Sequence, residues 1–366
     1  MPKIKNRTSR VIAFLLSVRI MNYILPVFVW NIIFLASGNP ENITLSWNRW
    51  DGPHYIYLAQ HGYSPVGDEA NFIVFQPLYP LVIRLLSSII LNPELAATII
   101  SIAAFCLAGV FFYKTIREEF DDKVAWRSII FLSIFPTAYF FNAPYTESLF
   151  FLFASMLIYL ANTGRLFLAS LAGGLATLTR HIGIFLIIPL LASWWKNKKK
   201  ALHILPFLPL AFIAALLVYL FINEETLGDP FAFNTILREH WQKSPEFFWK
   251  SIQSSWQRGL EPLTKYSLEI GLAEAIPATL SIFIIPLVYK IKKFGWFAYY
   301  SVYVVVIAST SFLLSTSRYL LLAFPLFVFF AKISNKSKAF SFLWTTISLC
   351  LLFYFSMRFV SGQWAF

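Results

Sequence analysis

Twelve apolar runs divide the chain, at roughly 11–37, 72–91, 95–116, 124–143, 147–161, 166–179, 182–195, 201–222, 266–289, 294–316, 319–331 and 339–357. A helix that crosses the hydrocarbon core of a bilayer needs about 20 apolar residues. Runs of that length and number can be buried together only in a membrane. Composition agrees, since 58% of the 366 residues are hydrophobic and 13% are charged. A soluble domain carries about 25% charged residues, and a soluble core built from this chain would leave broad apolar patches in water. A soluble enzyme or a nucleic-acid-binding domain is therefore excluded, although the net charge is +12. The expected fold is an all-α polytopic membrane protein, with residues 1–366 as one transmembrane domain.

Charge sets the orientation. Lys and Arg favour the cytoplasmic side of a membrane. The clusters are Lys3/Lys5/Arg7/Arg10, Lys114/Arg117/Lys123/Arg127, Arg165, Lys196/Lys198/Lys199/Lys200, Lys290/Lys292/Lys293 and Lys332/Lys336/Lys338. All fall inside if the N-terminus is cytoplasmic and 72–91 stays on the outer side. That run carries Gln76, Pro77, Pro80 and Arg84, which suit an interfacial or re-entrant piece. The same topology requires 166–195 to be a hairpin of two short helices, turning near Thr179-Arg180-His181. About eleven spans result, with outer loops at about 38–93 and 223–265. The clusters hold 19 of the 30 Lys and Arg but 4 of the 18 Asp and Glu, so the basic excess reports topology. Cys106 and Cys350 lie in apolar runs and can build neither a disulfide framework nor a metal cluster. The basic start before a long apolar run reads as a retained anchor. The sequon Asn42-Ile43-Thr44 carries meaning only in a eukaryote.

Polar residues among apolar ones are costly to bury, and so they are informative. The densest group is Trp47-Asn48-Arg49-Trp50-Asp51-Gly52-Pro53-His54-Tyr55, followed by Gln60-His61-Gly62-Tyr63. It reads either as a general base, Asp51, in an aromatic pocket or as an interfacial aromatic belt with an Arg49–Asp51 pair. A second group, Asn142 to Ser148, places Glu147 at a helix start. There it is a site carboxylate or a partner of the helix dipole. Arg180 tips the hairpin and calls for a carboxylate or an anionic ligand, unless it snorkels to the interface. Arg318, in Ser317-Arg318-Tyr319, suits a lipid phosphate or a simple interface anchor. The second outer loop adds Gly228-Asp229-Pro230 and Arg238-Glu239-His240-Trp241, charges that a loop most simply leaves solvated. Metal-ligand spacings and phosphate-cradling glycine loops are absent from the sequence.

Together these groups resemble the PIG-V mannosyltransferase family, within the GT-C class of membrane glycosyltransferases. The resemblance rests on Trp50-Asp51-Gly52-Pro53-His54-Tyr55 with Ala59, Gly62 and Tyr63, and on Phe75-Gln76-Pro77-Leu78-Tyr79-Pro80. It continues in Phe135-Pro136 with Pro144-Tyr145-Thr146-Glu147-Ser148, and in Thr179-Arg180 with Gly183. It ends in Gly228-Asp229-Pro230 and in Ser317-Arg318-Tyr319 with Phe324-Pro325. It implies a GT-C fold with amphipathic helices in the first outer loop and an active site on the outer or lumenal face. It also implies a polyprenyl-phosphate-linked sugar donor, such as dolichyl-phosphate mannose, and a lipid or glycan acceptor. A prokaryotic member would sit in the plasma membrane, a eukaryotic one in the endoplasmic reticulum.

On this reading Asp51 is the base of an inverting transfer, and Glu147 and His54 orient it or bind sugar hydroxyls. Arg180 and Arg318, with Arg49 in reserve, hold the donor phosphate. Trp50, Tyr55, Tyr63, Gln76, Tyr145 and Trp241 bind sugar or acceptor. A lipid phosphate can be stabilised by arginine, so the reading calls for no metal and no cofactor. The rival is a transporter or flippase of lipid-linked sugars, for which midplane sites, broken helices and internal repeats are the signs.

Overall fold

The computed structural model describes residues 2–34, 46–196, 202–262, 264 and 266–365. The sequon at Asn42 and the basic residues Lys198, Lys199 and Lys200 lie outside the described residues. Each apolar run is helical over at least part of its described residues. α1 (Pro2–Phe34) precedes α2 (Gly52–His61), a 3-10 turn (Asp68–Val74), α3 (Leu78–Ile90) and α4 (Pro93–Glu119). Next come α5 (Asp122–Ser133), α6 (Glu147–Asn162), α7 (Leu166–Thr179), α8 (Ile187–Lys196), α9 (Leu210–Leu227), α10 (Ala232–Glu239) and α11 (Phe248–Leu260). The remainder holds α12 (Ala273–Val288), α13 (Phe294–Ala308), the short α14 (Thr316–Leu320), α15 (Pro325–Lys336) and α16 (Lys338–Val360). Among the described residues no strand forms, and an isolated bridge joins Pro245 to Thr310.

Among the described residues, five helical stretches are long and apolar enough to cross a bilayer: Arg7–Ile33, Pro93–Glu119, His203–Leu227, Ser267–Ile291 and Lys338–Val360. Four further apolar helices among them have only 10–17 residues. Length and composition thus support five spans, or six if the bent pair at 68–90 is one, and do not confirm the count of about eleven. The runs 124–143 and 319–331 are interrupted: α5 ends at Ser133, ahead of Pro136, and α15 starts at Pro325, a first-turn position that proline favours. These interruptions cluster where the polar groups gather.

The run at 72–91 is not a straight span. Its 3-10 turn and α3 meet at 111°, with the bend at Phe75-Gln76-Pro77. Arg84 ties α3 to α2 by bonds to the carbonyls of Ala59 (2.7 Å) and Gln60 (3.0 Å). The run at 166–195 is broken as expected. Arg180 is extended (φ −154°, ψ 135°) between α7 and the turn that leads into α8. Gly183 lies so close to α7 that a Cβ there would stand 2.5 Å from the Thr177 nitrogen.

The main core is aromatic and aliphatic, drawn from α1, α4, α5, α6, α13, α15 and α16, and a smaller cluster packs under α2 and α3. The outward faces are apolar too. Phe28, Phe283 and Phe342 are exposed, and only 17% of the apolar window of α16 is buried. Such surfaces are stable against lipid, not water. One buried cation serves this core. Arg19 of α1 donates to the carbonyl oxygens of Ser133 (2.6 Å), the last residue of α5, and of Ala138, the first of a 3-10 turn at Ala138–Phe141, and lies over the Phe105 ring. At Ser133 it meets a carbonyl of the kind that the end of a helix leaves without a partner.

Candidate active site

The turn before α2 is built to present Asp51. Trp50 is left-handed (φ 54°), an uncommon state for a residue with a side chain. The Tyr145 hydroxyl holds it there, donating to the Arg49 carbonyl (2.8 Å) and accepting from the Asp51 N–H (3.1 Å). Gly52 is required by space, since a Cβ there would lie 2.7 Å from Asn48 Oδ1 and 3.0 Å from Pro144. Pro53 starts the helix. The Asp51 carboxylate makes no capping bond to α2, so it is free to act elsewhere.

It meets Arg318. Nη1 of Arg318 donates to Asp51 Oδ2 at 2.7 Å, and Nε donates to Glu147 Oε1 at 2.6 Å. Arg180 Nη1 reaches the same Oε1 at 2.6 Å and Thr146 Oγ1 at 2.8 Å. Glu147 opens α6 and is fully buried, with Oε2 unpartnered. An isolated carboxylate so placed would be prohibitively costly, and the two guanidinium groups compensate it. The Arg318 guanidinium also lies over the rings of Tyr145 (4.5 Å) and Phe140 (5.0 Å). Asp51, Arg318, Glu147 and Arg180 thus form one continuous chain of alternating charge.

This chain borders a cavity of about 530 Å³, whose lining includes Trp50, Asp51, His54, Tyr55, Gln76, Arg180, Trp241 and Arg318. His54 packs against Phe72 (4.3 Å) and Phe75 (5.5 Å), with Trp241 edge-on at 6.3 Å. Burial pushes its imidazole below the usual range, with nearby Asp51 opposing that shift. Gln76 is hydrogen-bonded at 2.8 Å to the His181 ring. Tyr145 supports the site from below, whereas Tyr63 donates to the Phe75 carbonyl at 2.6 Å and braces the bend. Neither is among the lining residues. Arg49 also turns away, donating to the Val360 carbonyl at 3.0 Å.

Lys243, Tyr319 and Trp364 are among the lining residues that escaped the sequence reading as site residues. Lys243 is delivered by a small staple. Gln242 is left-handed (φ 54°). The Ser244 N–H donates to Ser311 Oγ at 3.0 Å, and the Ser311 N–H returns to the Ser244 carbonyl at 2.8 Å. Pro245 then bridges Thr310. The result sets the Lys243 ammonium 5.8 Å from the Tyr319 ring centre, with the Arg180 guanidinium 4.8 Å from that centre. The lining holds Arg180, Lys243 and Arg318 against the one carboxylate of Asp51, a net positive charge, with the buried carboxylates of Glu147 and Glu274 behind it. Among the described residues no group of three or more His, Cys, Asp or Glu is placed to hold a metal ion.

Residues 75–223 match the family model described as dolichyl-phosphate-mannose-protein mannosyltransferase. GPI mannosyltransferase 2 of Cryptococcus neoformans var. neoformans is 30% identical over 179 residues, covering 46% of this chain and 40% of that protein. GPI mannosyltransferase 2 of Drosophila pseudoobscura pseudoobscura is 30% identical over 118 residues, covering 29% and 25%. Part of the chain is thus similar in sequence to these mannosyltransferases. The match spans less than half the length of those mannosyltransferase relatives. The family-model match takes in Gln76, Glu147 and Arg180, while Asp51, Lys243 and Arg318 lie beyond it. The solved apo oligosaccharyltransferase of Archaeoglobus fulgidus is 12% identical, with a TM-score of 0.49 over 98% of this chain and 56% of that one.

Proposed function

We propose that the protein is an inverting glycosyltransferase that moves mannose from a polyprenyl phosphate to a lipid-linked or glycolipid acceptor, at the outer or lumenal face. The observation that carries this reading is the Asp51–Arg318 pair at 2.7 Å, at a cavity whose net charge is positive. The mannosyltransferase relatives supply the sugar and the reaction class.

In the reaction, the acceptor hydroxyl oxygen attacks C1 of the sugar from the face opposite the phosphate. The new C1–O bond forms as the old C1–O bond breaks, and its electron pair leaves with the lipid phosphate. The hydroxyl proton passes to Asp51. Lys243, with Arg180 and Arg318, receives the phosphate, because Asp51 alone does not neutralise the three cations that line the cavity. The arriving phosphate competes with Asp51 for Arg318. Donor binding therefore loosens the ion pair and frees the base only when there is something to deprotonate for. His54, Tyr55, Gln76 and Trp241 wall the sugar.

The test uses purified protein in detergent, with radiolabelled polyprenyl-phosphate mannose and a lipid extract of the source cells. A transferase forms a labelled glycolipid. A transporter or flippase of lipid-linked sugars forms no new bond under these conditions, and that result would discard the reading.

A further inference from the structure

We infer that a second cavity, on the far side of Trp364 from the first, holds the hydroxyl-rich head group of the acceptor lipid. This rests on the transferase reading and adds where the acceptor enters. The cavity measures about 390 Å³ and is walled by Leu268, Glu269, Ala273, Tyr354, Arg358 and Trp364, among others. Trp364 lines both cavities, and its ring meets Trp50 edge-on at 5.2 Å, next to Asp51. One indole thus separates the second cavity from the reacting groups.

The chemistry of the walls selects the ligand. Arg358 pairs with Glu269, their side chains 14% and 15% exposed, and Arg358 also donates to the Tyr354 hydroxyl (3.1 Å) and the Trp364 carbonyl (2.9 Å). The pair carries no net charge, so a phosphate gains little there. It presents guanidinium donors beside a carboxylate acceptor, which suits neutral hydroxyls. Trp364 Nε1 is a further buried donor without a partner. The lysine-bearing cavity has the opposite character, a surplus positive charge fit for a phosphate.

Position agrees with chemistry. Leu268 and Tyr354 are each 50% exposed, and they belong to the stretches Ser267–Ile291 and Lys338–Val360, both apolar enough to cross a bilayer. The mouth therefore lies between two spans, where a lipid keeps its tails in the membrane while its head turns inward. An ion pair in such a place is expensive unless it serves a ligand. The wall is also opened locally, since Ser267–Leu272 is π-helical, a widened turn frequent at functional sites. In-line displacement needs acceptor and phosphate on opposite faces of the sugar carbon. Contacts run from Lys243 and Arg180, at Tyr319, through Glu147 and Arg318 to Asp51 and Trp50, and then to Trp364. Lys243 and Arg180 stand at one end, Arg318 lies between them and Asp51, and the second cavity opens beyond the other end.

The experiment fills the cavity from two walls with Ala273→Phe and, separately, Leu268→Trp. Transfer from polyprenyl-phosphate mannose to the source-cell lipid extract is measured against acceptor and donor concentration, together with acceptor-independent donor cleavage. Both variants should raise the KM for the lipid extract about tenfold or abolish its use, with the KM for donor and donor cleavage unchanged. Wild-type acceptor kinetics in both variants would overturn the inference, as would donor kinetics that change in parallel. Wild-type protein that cleaves donor but labels no lipid would also overturn it, since the acceptor would then not be a lipid. Wild-type protein that does neither would instead overturn the transferase reading itself.

Discussion

Arg318 and Asp51 stand 267 residues apart in sequence and meet at 2.7 Å, side chain to side chain. Arg318 also grips Glu147, which is wholly buried. Its planar fork serves both carboxylates at once, a geometry lysine cannot reproduce. Arg318→Leu should therefore leave Glu147 with Arg180 alone and cost about 3–5 kcal/mol of stability. A thermal midpoint in detergent equal to that of the wild type would show that the ion-pair chain does not hold the fold.

Lys243 is one of the three cations that line the first cavity, and its effect should appear in donor binding. Lys243→Gln should raise the KM for polyprenyl-phosphate mannose about tenfold while leaving kcat nearly intact. Lys243→Arg should largely restore it, because charge is what matters at this position. Equal loss in both variants would point to a packing role instead.

Arg19 lies in the core and offers a contrast. Its donors go to the carbonyls of Ser133 and Ala138. Arg19→Met should leave the Ser133 carbonyl at the end of α5 unmet and cost about 1–3 kcal/mol. Donor KM in the protein that remains folded should match the wild type. A change in donor affinity without a change in thermal midpoint would contradict this structural assignment.

The sequence revealed much of the architecture because membrane burial leaves an unmistakable record. Each of the twelve apolar runs is helical over at least part of its described residues, and charge placement with Gln76, Pro77, Pro80 and Arg84 singled out 72–91, the run whose two helical pieces meet at 111°. The break at Arg180 was legible for the same reason. Helix length was not legible, since helices break near Pro136 and before Pro325 within segments that hydropathy reads as continuous. Asp51, Glu147, Arg180 and Arg318 could be selected as costly polar residues, but their single chain of contacts depends on packing between distant helices. Lys243 and Trp364 left no comparable signal. One is placed by Ser244 pairing with Ser311, the other by a tail that Tyr139 and Arg49 hold through the backbone at Ala365 and Val360. Arg19 was hidden because its partners are main-chain carbonyls, which no pattern of side chains records.

The account turns on Asp51 as the group that takes the acceptor proton. Asn at this position keeps the size and removes the basicity. The direct measurement is single-turnover transfer by Asp51→Asn protein, reconstituted with polyprenyl-phosphate mannose and the source-cell lipid extract, with donor binding measured in parallel. Transfer should fall about 10²–10⁴-fold while donor still binds. Transfer at the wild-type rate would contradict the assignment.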